Sequence, residues 1–282
     1  MEFITQSGTS ANHIGQGTWY LGENRETRAR ECGALRAGIE AGMTLLDTAE
    51  MYGNGAAECL VGEAIRGYDR EKLYLISKVY PFHAGRVDIF RSCENSLCRM
   101  DTDYLDLYLL HWRGSVPLYE TVACMEELKT MGRIRGWGVS NLDLTDMEEL
   151  FQTSGGANCL TDQVLYHLGS RGVEYDLLPW MNQREMPMMA YCPLAQGGAL
   201  RRGLLGHPVV QETAWANGAS PCQVLLAFLL ARHGVYPIPR SSQPAHTLEN
   251  AGAMSLRLRE EELAALNAAF PAPNHPVPLD MQ

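Results

Sequence analysis

Eight short apolar runs that alternate with segments of helical spacing constrain the fold of this chain more than any other feature. The apolar residues between the runs, such as Leu35, Ile39 and Met43, recur at the spacing of one helical face. The runs cover residues 13–19, 44–49, 73–79, 105–112, 134–141, 161–166, 186–192 and 235–240. Such an eightfold alternation of strand and helix predicts an α/β fold, a parallel (β/α)8 TIM barrel.

The length of the chain fits one such barrel. It has 282 residues, and no segment resembles a linker, so residues 1–282 are predicted to form a single domain. Residues 197–218 make a long connection, expected to be a loop with one short extra helix over the barrel mouth. Residues 260–270 are predicted to form a terminal helix and residues 271–282, with four prolines, an extended tail. The opening dozen residues are expected to form a hairpin.

Composition favours a small ligand over a macromolecular one. The formal net charge is −10, and no basic stripe is present of the kind that nucleic acid or an anionic membrane requires. No apolar run approaches the ~20 residues of a membrane span, and no signal sequence is recognisable, so export is not expected. The eight cysteines form no Cys-x-x-Cys pair and no cluster with His. Reduced thiols in the cytoplasm and no bound metal are therefore expected.

Four residues that together could deliver a proton to a carbonyl oxygen follow three successive predicted strands. Asp47, Lys78 and His111 lie at or near the ends of the second, third and fourth runs. Tyr52 follows the second run after a short loop. Because the carboxyl ends of the strands form the catalytic face of a parallel barrel, these four side chains are expected to meet there.

The chemistry of the four residues is complementary. A tyrosine hydroxyl, with an ordinary pKa of about 10, donates a proton poorly at neutral pH unless its phenolate is stabilised. An ammonium at about 4 Å would supply roughly 4 kcal/mol at an effective dielectric of about 20, so Lys78 is expected to lower the pKa of Tyr52. Asp47 is expected to keep Lys78 protonated, and His111 to donate a hydrogen bond to the carbonyl oxygen.

Each of these residues also has a purely structural interpretation. Asp47 and Thr48 could form a capping turn, and Lys78 could end in solvent. Tyr52 could be a half-buried loop aromatic, and His111 a core histidine. Four such coincidences at consecutive strand ends on one face of a barrel are improbable, so the sequence favours a site.

The motifs around these residues resemble those of the aldo-keto reductase family, whose members are NAD(P)H-dependent carbonyl reductases built on a (β/α)8 barrel. The similarity covers nearly the whole chain. The matching motifs are Gly17-Thr18-Trp19, Asp47-Thr48-Ala49-x-x-Tyr52-Gly53, the Lys78 strand, Leu110-His111-Trp112, Gly138-Val139-Ser140-Asn141, Gln163 and Tyr191-x-Pro193-Leu194. Residues 103–112 and 163–172 are similar to a bacterial branch that reduces methylglyoxal and other small aldehydes.

The resemblance implies a role for each matching residue. Tyr52 would be the general acid, Lys78 and Asp47 the pair that tunes it, and His111 the orienting donor. The substrate pocket would be lined by Trp19, Tyr52, His111 and Trp112. The nicotinamide half of the cofactor would contact Thr18, Trp19, Asp47, Ser140, Asn141, Gln163 and Tyr191, with Tyr191 stacked on the ring. The pyrophosphate would be bordered by Cys192, Pro193, Leu194 and Gln196. Many relatives have serine where this chain has Cys192.

The resemblance also places the adenosine phosphate after the eighth strand. The residues concerned are Ile238, Pro239, Arg240, Ser241, Ser242, His246, Glu249 and Asn250. Much of the family has Lys at the position of Arg240 and Arg at that of His246. Arg240 can form two parallel hydrogen bonds with a phosphate group, whereas a neutral His246 would bind the phosphate more weakly. NADPH is therefore expected to bind more tightly than NADH.

Three functions are consistent with these patterns. The first is an NADPH-dependent reductase of small aldehydes and ketoaldehydes, active as a monomer or weak oligomer. The second is a nicotinamide-binding barrel that senses redox state for a partner and has little turnover. A barrel hydrolase is the third and weakest, because it would need paired carboxylates or metal ligands and only Asp47 qualifies. The short tail cannot form a long lid, which favours small substrates.

Overall fold

Eight parallel strands form one sheet in sequential order in the computed structural model, which describes residues 3, 4, 7, 8, 10 and 13–282. The strands are β1 (Gln16–Gly17), β2 (Leu45–Asp47), β3 (Tyr74–Val79), β4 (Leu105–Leu110), β5 (Ile134–Ser140), β6 (Asp162–Leu165), β7 (Met188–Tyr191) and β8 (Val235–Pro237). The sheet closes on itself, because the Gly15 N–H donates to the Pro237 carbonyl at 3.0 Å and the Gly17 N–H to the Pro239 carbonyl at 3.1 Å. The predicted (β/α)8 barrel is confirmed.

Helices surround the strands. They are α1 (Arg28–Glu40), α2 (Ala56–Ile65), α3 (Ile89–Met100), α4 (Leu118–Thr130), α5 (Leu144–Gln152), α6 (Leu177–Asn182), α7 (Gly198–Leu205), α8 (Pro208–Ala216), α9 (Pro221–Leu230), α10 (Pro244–Gly252) and α11 (Glu260–Ala269). The terminal helix predicted at residues 260–270 is present as α11.

The long connection after β7 contains two helices, so the prediction of one short helix was wrong. Helix α7 ends at Leu205 and is followed by Gly206, and Pro208 then occupies the first turn of α8, where its missing N–H costs nothing. Helix α9 begins with a capping box in which Ser220 and Gln223 satisfy each other's backbone N–H groups.

The core has two layers separated by the sheet. Inside the barrel, Leu45, Ile76, Leu107 and Met189 are completely buried. A second and larger apolar layer lies between the outer faces of the strands and the helices. Asp47, Lys78 and Ser140 lie at or next to the carboxyl ends of β2, β3 and β5, where the interior opens.

The start of the chain packs against the opposite end of the barrel. The ring of Phe3 lies 4.7 Å from that of Tyr236 and 5.3 Å from that of Tyr74. Ile4 and Ser10 form an antiparallel bridge, in agreement with the expected hairpin, although part of this segment lies outside the described residues. Among the described helices, none is long and apolar enough to cross a membrane.

Candidate active site

A buried ammonium group lies at the centre of the carboxyl face of the barrel. The Lys78 side chain has no exposed surface. Its Nζ donates to Asp47 Oδ2 at 2.7 Å, to the Thr48 carbonyl at 2.9 Å and to Tyr52 Oη at 3.1 Å. An ammonium has three protons, and these three acceptors use all of them. The three contacts match the hydrogen-bonding capacity of a charged Lys78.

The strand register accounts for the meeting of these groups. Asp47, the last residue of β2, lies beside Ile76 of β3. Side chains alternate along a strand, so Lys78, two residues beyond Ile76, points to the same interior face. The Thr18 hydroxyl donates to the Asp47 carbonyl at 2.9 Å and fixes the end of β2. Tyr52 is on a short turn that follows β2 rather than on a strand.

Burial, more than charge, determines the protonation of Tyr52. Removal from solvent raises the pKa of Tyr52 well above 10, and the Asp47 carboxylate raises it further. The net shift of the Tyr52 pKa is therefore upward, which was not expected, because the sequence does not reveal how completely the phenol is desolvated. A neighbouring ammonium such as Lys78 acts in the opposite direction, by stabilising the phenolate. Burial also lowers the pKa of Lys78 itself, against the opposing effect of Asp47.

The contact with Lys78 fixes the direction of the phenolic proton. An ammonium only donates hydrogen bonds, so Tyr52 Oη accepts from Lys78. The proton of the Tyr52 hydroxyl consequently remains available for another acceptor. A protonated phenol next to a cation, with its own proton free, is the arrangement of a general acid.

His111 faces the same hydroxyl as a neutral ring. Its imidazole lies edge-on to the ring of Tyr52, with the centroids 5.6 Å apart. Burial, reinforced by the charge of Lys78, lowers the pKa of His111 well below 6.5. Its Nδ1 has no hydrogen-bond partner among the described residues. A neutral imidazole still has one N–H with which to orient a carbonyl oxygen.

A continuous set of hydrogen bonds joins Asp47 to the ends of later strands. Gln163 Nε2 donates to Asp47 Oδ1 at 2.7 Å, and the Ser140 hydroxyl donates to the Gln163 carbonyl at 2.7 Å. Asn141 Nδ2 donates to the His111 carbonyl at 3.1 Å, and Asn141 Oδ1 accepts from the Tyr191 hydroxyl at 2.8 Å. The side chains expected at the nicotinamide carboxamide are thus brought together beside the buried ion pair.

A row of aromatic rings borders the mouth. Trp19 stacks on Tyr20 at 4.5 Å and lies 6.3 Å from Tyr52. On the other side, Trp112 lies 4.9 Å from His111 and 5.7 Å from Tyr80. The four residues predicted for the substrate pocket are therefore contiguous.

Tyr80 also borders the barrel mouth, beside Trp112, and was not expected there from the sequence. Its backbone N–H donates to Glu50 Oε1 at 2.7 Å, and His83 Nδ1 lies 3.1 Å from the same oxygen. Glu50 thus holds the loop after β3 against the loop after β2. Glu50 lies inside the motif from Asp47 to Tyr52, and this position was the one feature of the sequence that could have indicated its role.

The turn after β7 is suited to a pyrophosphate group. Cys192, Ala195, Gly197 and Gly198 all have positive φ angles, of 51°, 64°, 111° and 62°. A Cβ at either glycine would meet nothing within 4 Å, so the backbone at the start of α7 is open. Open glycine-containing backbone at the start of a helix leaves N–H groups available to bind an anion.

The side chains of this turn differ in burial and in their hydrogen-bond partners. Pro193 and Leu194 are buried beneath it, whereas Gln196 is exposed and its Oε1 lies 3.1 Å from His167 Nε2. Burial raises the pKa of the Cys192 thiol to about 11. This thiol donates to Gln282 Oε1 at 3.1 Å, so the extended tail reaches the turn.

The segment after β8 presents cations to solvent. Arg240 is exposed, with Nη2 3.5 Å from the Tyr20 carbonyl. Within the described chain, neither Arg240 nor Arg30 forms an ion pair with a carboxylate. Arg30, on α1, donates from Nε to the Ser242 carbonyl at 3.2 Å. Arg30 could not be identified from local sequence patterns, because only closure of the barrel brings α1 beside α10.

The other residues predicted for the adenosine phosphate differ in accessibility. The Ser241 hydroxyl is used within its own turn, donating to the Gln243 carbonyl at 2.9 Å. The Ile238 side chain packs in the barrel core, and Pro239 is also buried. His246 is exposed on α10, Glu249 is half-buried and Asn250 is buried.

Comparisons with known proteins agree with this geometry. The chain matches the Aldo/keto reductase family over residues 13–270. It is 57% identical over 268 residues to methylglyoxal reductase YeaE of Escherichia coli, covering 95% of this chain and 94% of that protein. It is 32% identical over 237 residues to glyoxal reductase of Bacillus subtilis, covering 83% and 82%. An aldo-keto reductase from Klebsiella pneumoniae, crystallised with NADPH, superimposes with a TM-score of 0.95 at 52% identity, covering 99% and 98% of the two chains. The chain belongs to the aldo/keto reductase family.

Proposed function

We propose that this protein reduces small aldehydes and ketoaldehydes, such as methylglyoxal, to alcohols with NADPH. The observation that carries the proposal is the set of three contacts at Lys78 Nζ, because it leaves the proton of Tyr52 free for a substrate. The relatives that reduce methylglyoxal and glyoxal support the substrate class. A redox-sensing role with little turnover is not favoured, since all four reactive groups are in contact.

The residues of the chain supply the acid half of the reaction. When bound, NADPH supplies the hydride that adds to the carbonyl carbon. Tyr52 donates its proton to the carbonyl oxygen, and the His111 N–H orients that oxygen. The phenolate left on Tyr52 then lies 3.1 Å from the Lys78 ammonium, which stabilises it. One hydride and one proton balance the conversion of an aldehyde to an alcohol.

The distribution of polar groups supports NADPH as the cofactor. The amide groups of Asn141 and Gln163 suit a carboxamide, and the open turn at Gly197 suits a pyrophosphate. The guanidinium groups of Arg240 and Arg30 suit the 2′-phosphate, which carries almost two negative charges at neutral pH. Neither is neutralised by a carboxylate among the described residues, so both remain available.

Further properties are inferred from the chain as a whole. We infer a single catalytic domain that works as a monomer or weak oligomer in the cytoplasm. Free cysteines in the structure suit a reducing compartment. The four residues proposed for catalysis all come from one chain, which is consistent with an active monomer. Chromatography with light scattering tests the oligomeric state.

The general acid is tested by Tyr52→Phe. Removal of the hydroxyl that Lys78 contacts should lower kcat for methylglyoxal reduction at least about a hundredfold, while NADPH binding changes little. Tyr119→Phe, which alters an exposed tyrosine on α4, is the control and should retain full activity. Near-normal turnover by Tyr52→Phe would remove Tyr52 from the mechanism.

The pH dependence follows from the burial of the two donors. The pKa of His111 is lowered, so its ring is neutral throughout the neutral range, and the pKa of Tyr52 is raised, so its phenol stays protonated. The single-turnover rate of reduction should therefore be flat between about pH 6 and pH 9. An ionisation near 6.5 that disappears in His111→Asn would contradict this assignment.

Cofactor preference is tested by Arg240→Ala. A charge-assisted hydrogen bond contributes about 1.5–3 kcal/mol, so the variant should bind NADPH roughly ten- to a hundredfold more weakly while NADH binding scarcely changes. Fluorescence titration of both cofactors measures this, with Arg257→Ala, another exposed arginine, as the control. Equal losses for both cofactors would show that Arg240 does not recognise the 2′-phosphate.

A further inference from the structure

The turn that carries Tyr52 is an unusual support for a general acid. The three residues after it, Gly53, Asn54 and Gly55, all have positive φ angles, of 55°, 52° and 89°. Glycine adopts left-handed backbone freely and asparagine more readily than most residues, so the local sequence permits this turn, and contacts from the rest of the protein hold it in place. Because Tyr52 is not on a strand, these contacts decide whether its hydroxyl stays 3.1 Å from Lys78.

One such contact is the side chain of Arg99, near the end of α3. A Cβ at Gly55 would lie 2.5 Å from Arg99 Cδ and 2.6 Å from its Nε, so the arginine lies directly against the turn. The close approach of α2 and α3 at Gly62 makes this possible. A Cβ there would lie 2.9 Å from the Arg99 carbonyl oxygen.

Glu58, in the first turn of α2, holds Arg99 in place. The Glu58 side chain is completely buried, and its Oε2 accepts from Arg99 Nε at 2.5 Å. Its other oxygen accepts from the Ser77 hydroxyl, also at 2.5 Å. Ser77 is buried and directly precedes Lys78 on β3, with its side chain on the outer face of the barrel.

These contacts form a closed path around the reacting pair. It runs from Lys78 to Ser77 along β3, across to Glu58 and Arg99, and back through the turn at Gly55 to Tyr52. Asp47, and to a smaller extent the buried Glu58 carboxylate, opposes the effect of burial on the pKa of Lys78. Glu58 thus contacts both sides of the reacting pair, through Ser77 next to Lys78 and through Arg99 next to the Tyr52 turn.

We propose that Arg99, Glu58 and Ser77 are positioning residues that hold the hydroxyl of Tyr52 at the Lys78 ammonium. The proposal rests on the proposed function, since it concerns the acid of that reaction. None of the three touches the substrate. Their effect is on the rate of proton donation, because a displacement of about 1 Å at a reacting group is enough to cost up to a hundredfold in rate.

The proposal is tested with Arg99→Met, which retains the length of the side chain and removes its guanidinium. We expect kcat for methylglyoxal to fall about ten- to a hundredfold, while KM and the NADPH dissociation constant change less than about twofold, and we expect Arg99→Lys to restore part of the rate. Arg91→Met is the matched control, since Arg91 is on the same helix but is exposed and paired with Asp88. It should behave as wild type.

A merely structural ion pair would give a different result. In that case Arg99→Met would unfold at a lower temperature but turn over normally once folded, which would overturn the proposal. If Arg99→Met does not fold, Ser77→Ala replaces it, because this variant removes one hydrogen bond and no charge. A several-fold loss of kcat at constant KM supports the proposal, and an unchanged kcat overturns it.

A second measurement separates this proposal from the proposed function. If the wild-type protein reduces no carbonyl compound, the proposed function fails. Crystal structures of wild type and of Arg99→Met, or of Ser77→Ala in its place, still decide the positioning role. Separation of Tyr52 Oη from Lys78 Nζ in the variant supports it, and an unchanged distance overturns it.

Discussion

The charge buried on Lys78 is the constraint on which the rest of the site depends. An ammonium without solvent is strongly destabilised unless it is paired and all its protons are accepted. Asp47 at 2.7 Å supplies the pairing, and its second oxygen is satisfied by Gln163 at 2.7 Å. Through Gln163 the same network reaches Ser140 and the end of β5. One ion pair in the barrel mouth therefore fixes polar groups from several strands that are distant in sequence.

The same burial explains why the site without substrate contains uncharged hydrogen-bond donors. Burial keeps both Tyr52 and His111 uncharged, as the directions of their pKa shifts indicate. The Lys78 ammonium, already paired with Asp47, gains a second negative partner when the phenolic proton leaves Tyr52. Its stabilising effect is then greatest at the transition state, which is the condition for accelerating a reaction rather than merely binding a substrate.

The sequence was sufficient to predict the barrel and the meeting of the four candidate residues, because both follow from local patterns. Strand periodicity is visible in the chain, and Asp47, Lys78 and His111 lie at strand ends. The break between α7 and α8 was missed, and so were Arg30 and Glu50, whose contacts arise when distant segments meet. The net upward shift of the Tyr52 pKa was also not expected from the sequence, since it depends on burial in the closed barrel.

Neutron diffraction from a deuterium-exchanged crystal at neutral pH tests the central claim most directly, because it locates the protons of the buried pair. We expect three deuterons on Lys78 Nζ, directed at Asp47 Oδ2, the Thr48 carbonyl and Tyr52 Oη, and a phenolic deuteron on Tyr52 directed away from Lys78. Two deuterons on Nζ, with the Tyr52 hydroxyl donating to the amine, would contradict the account.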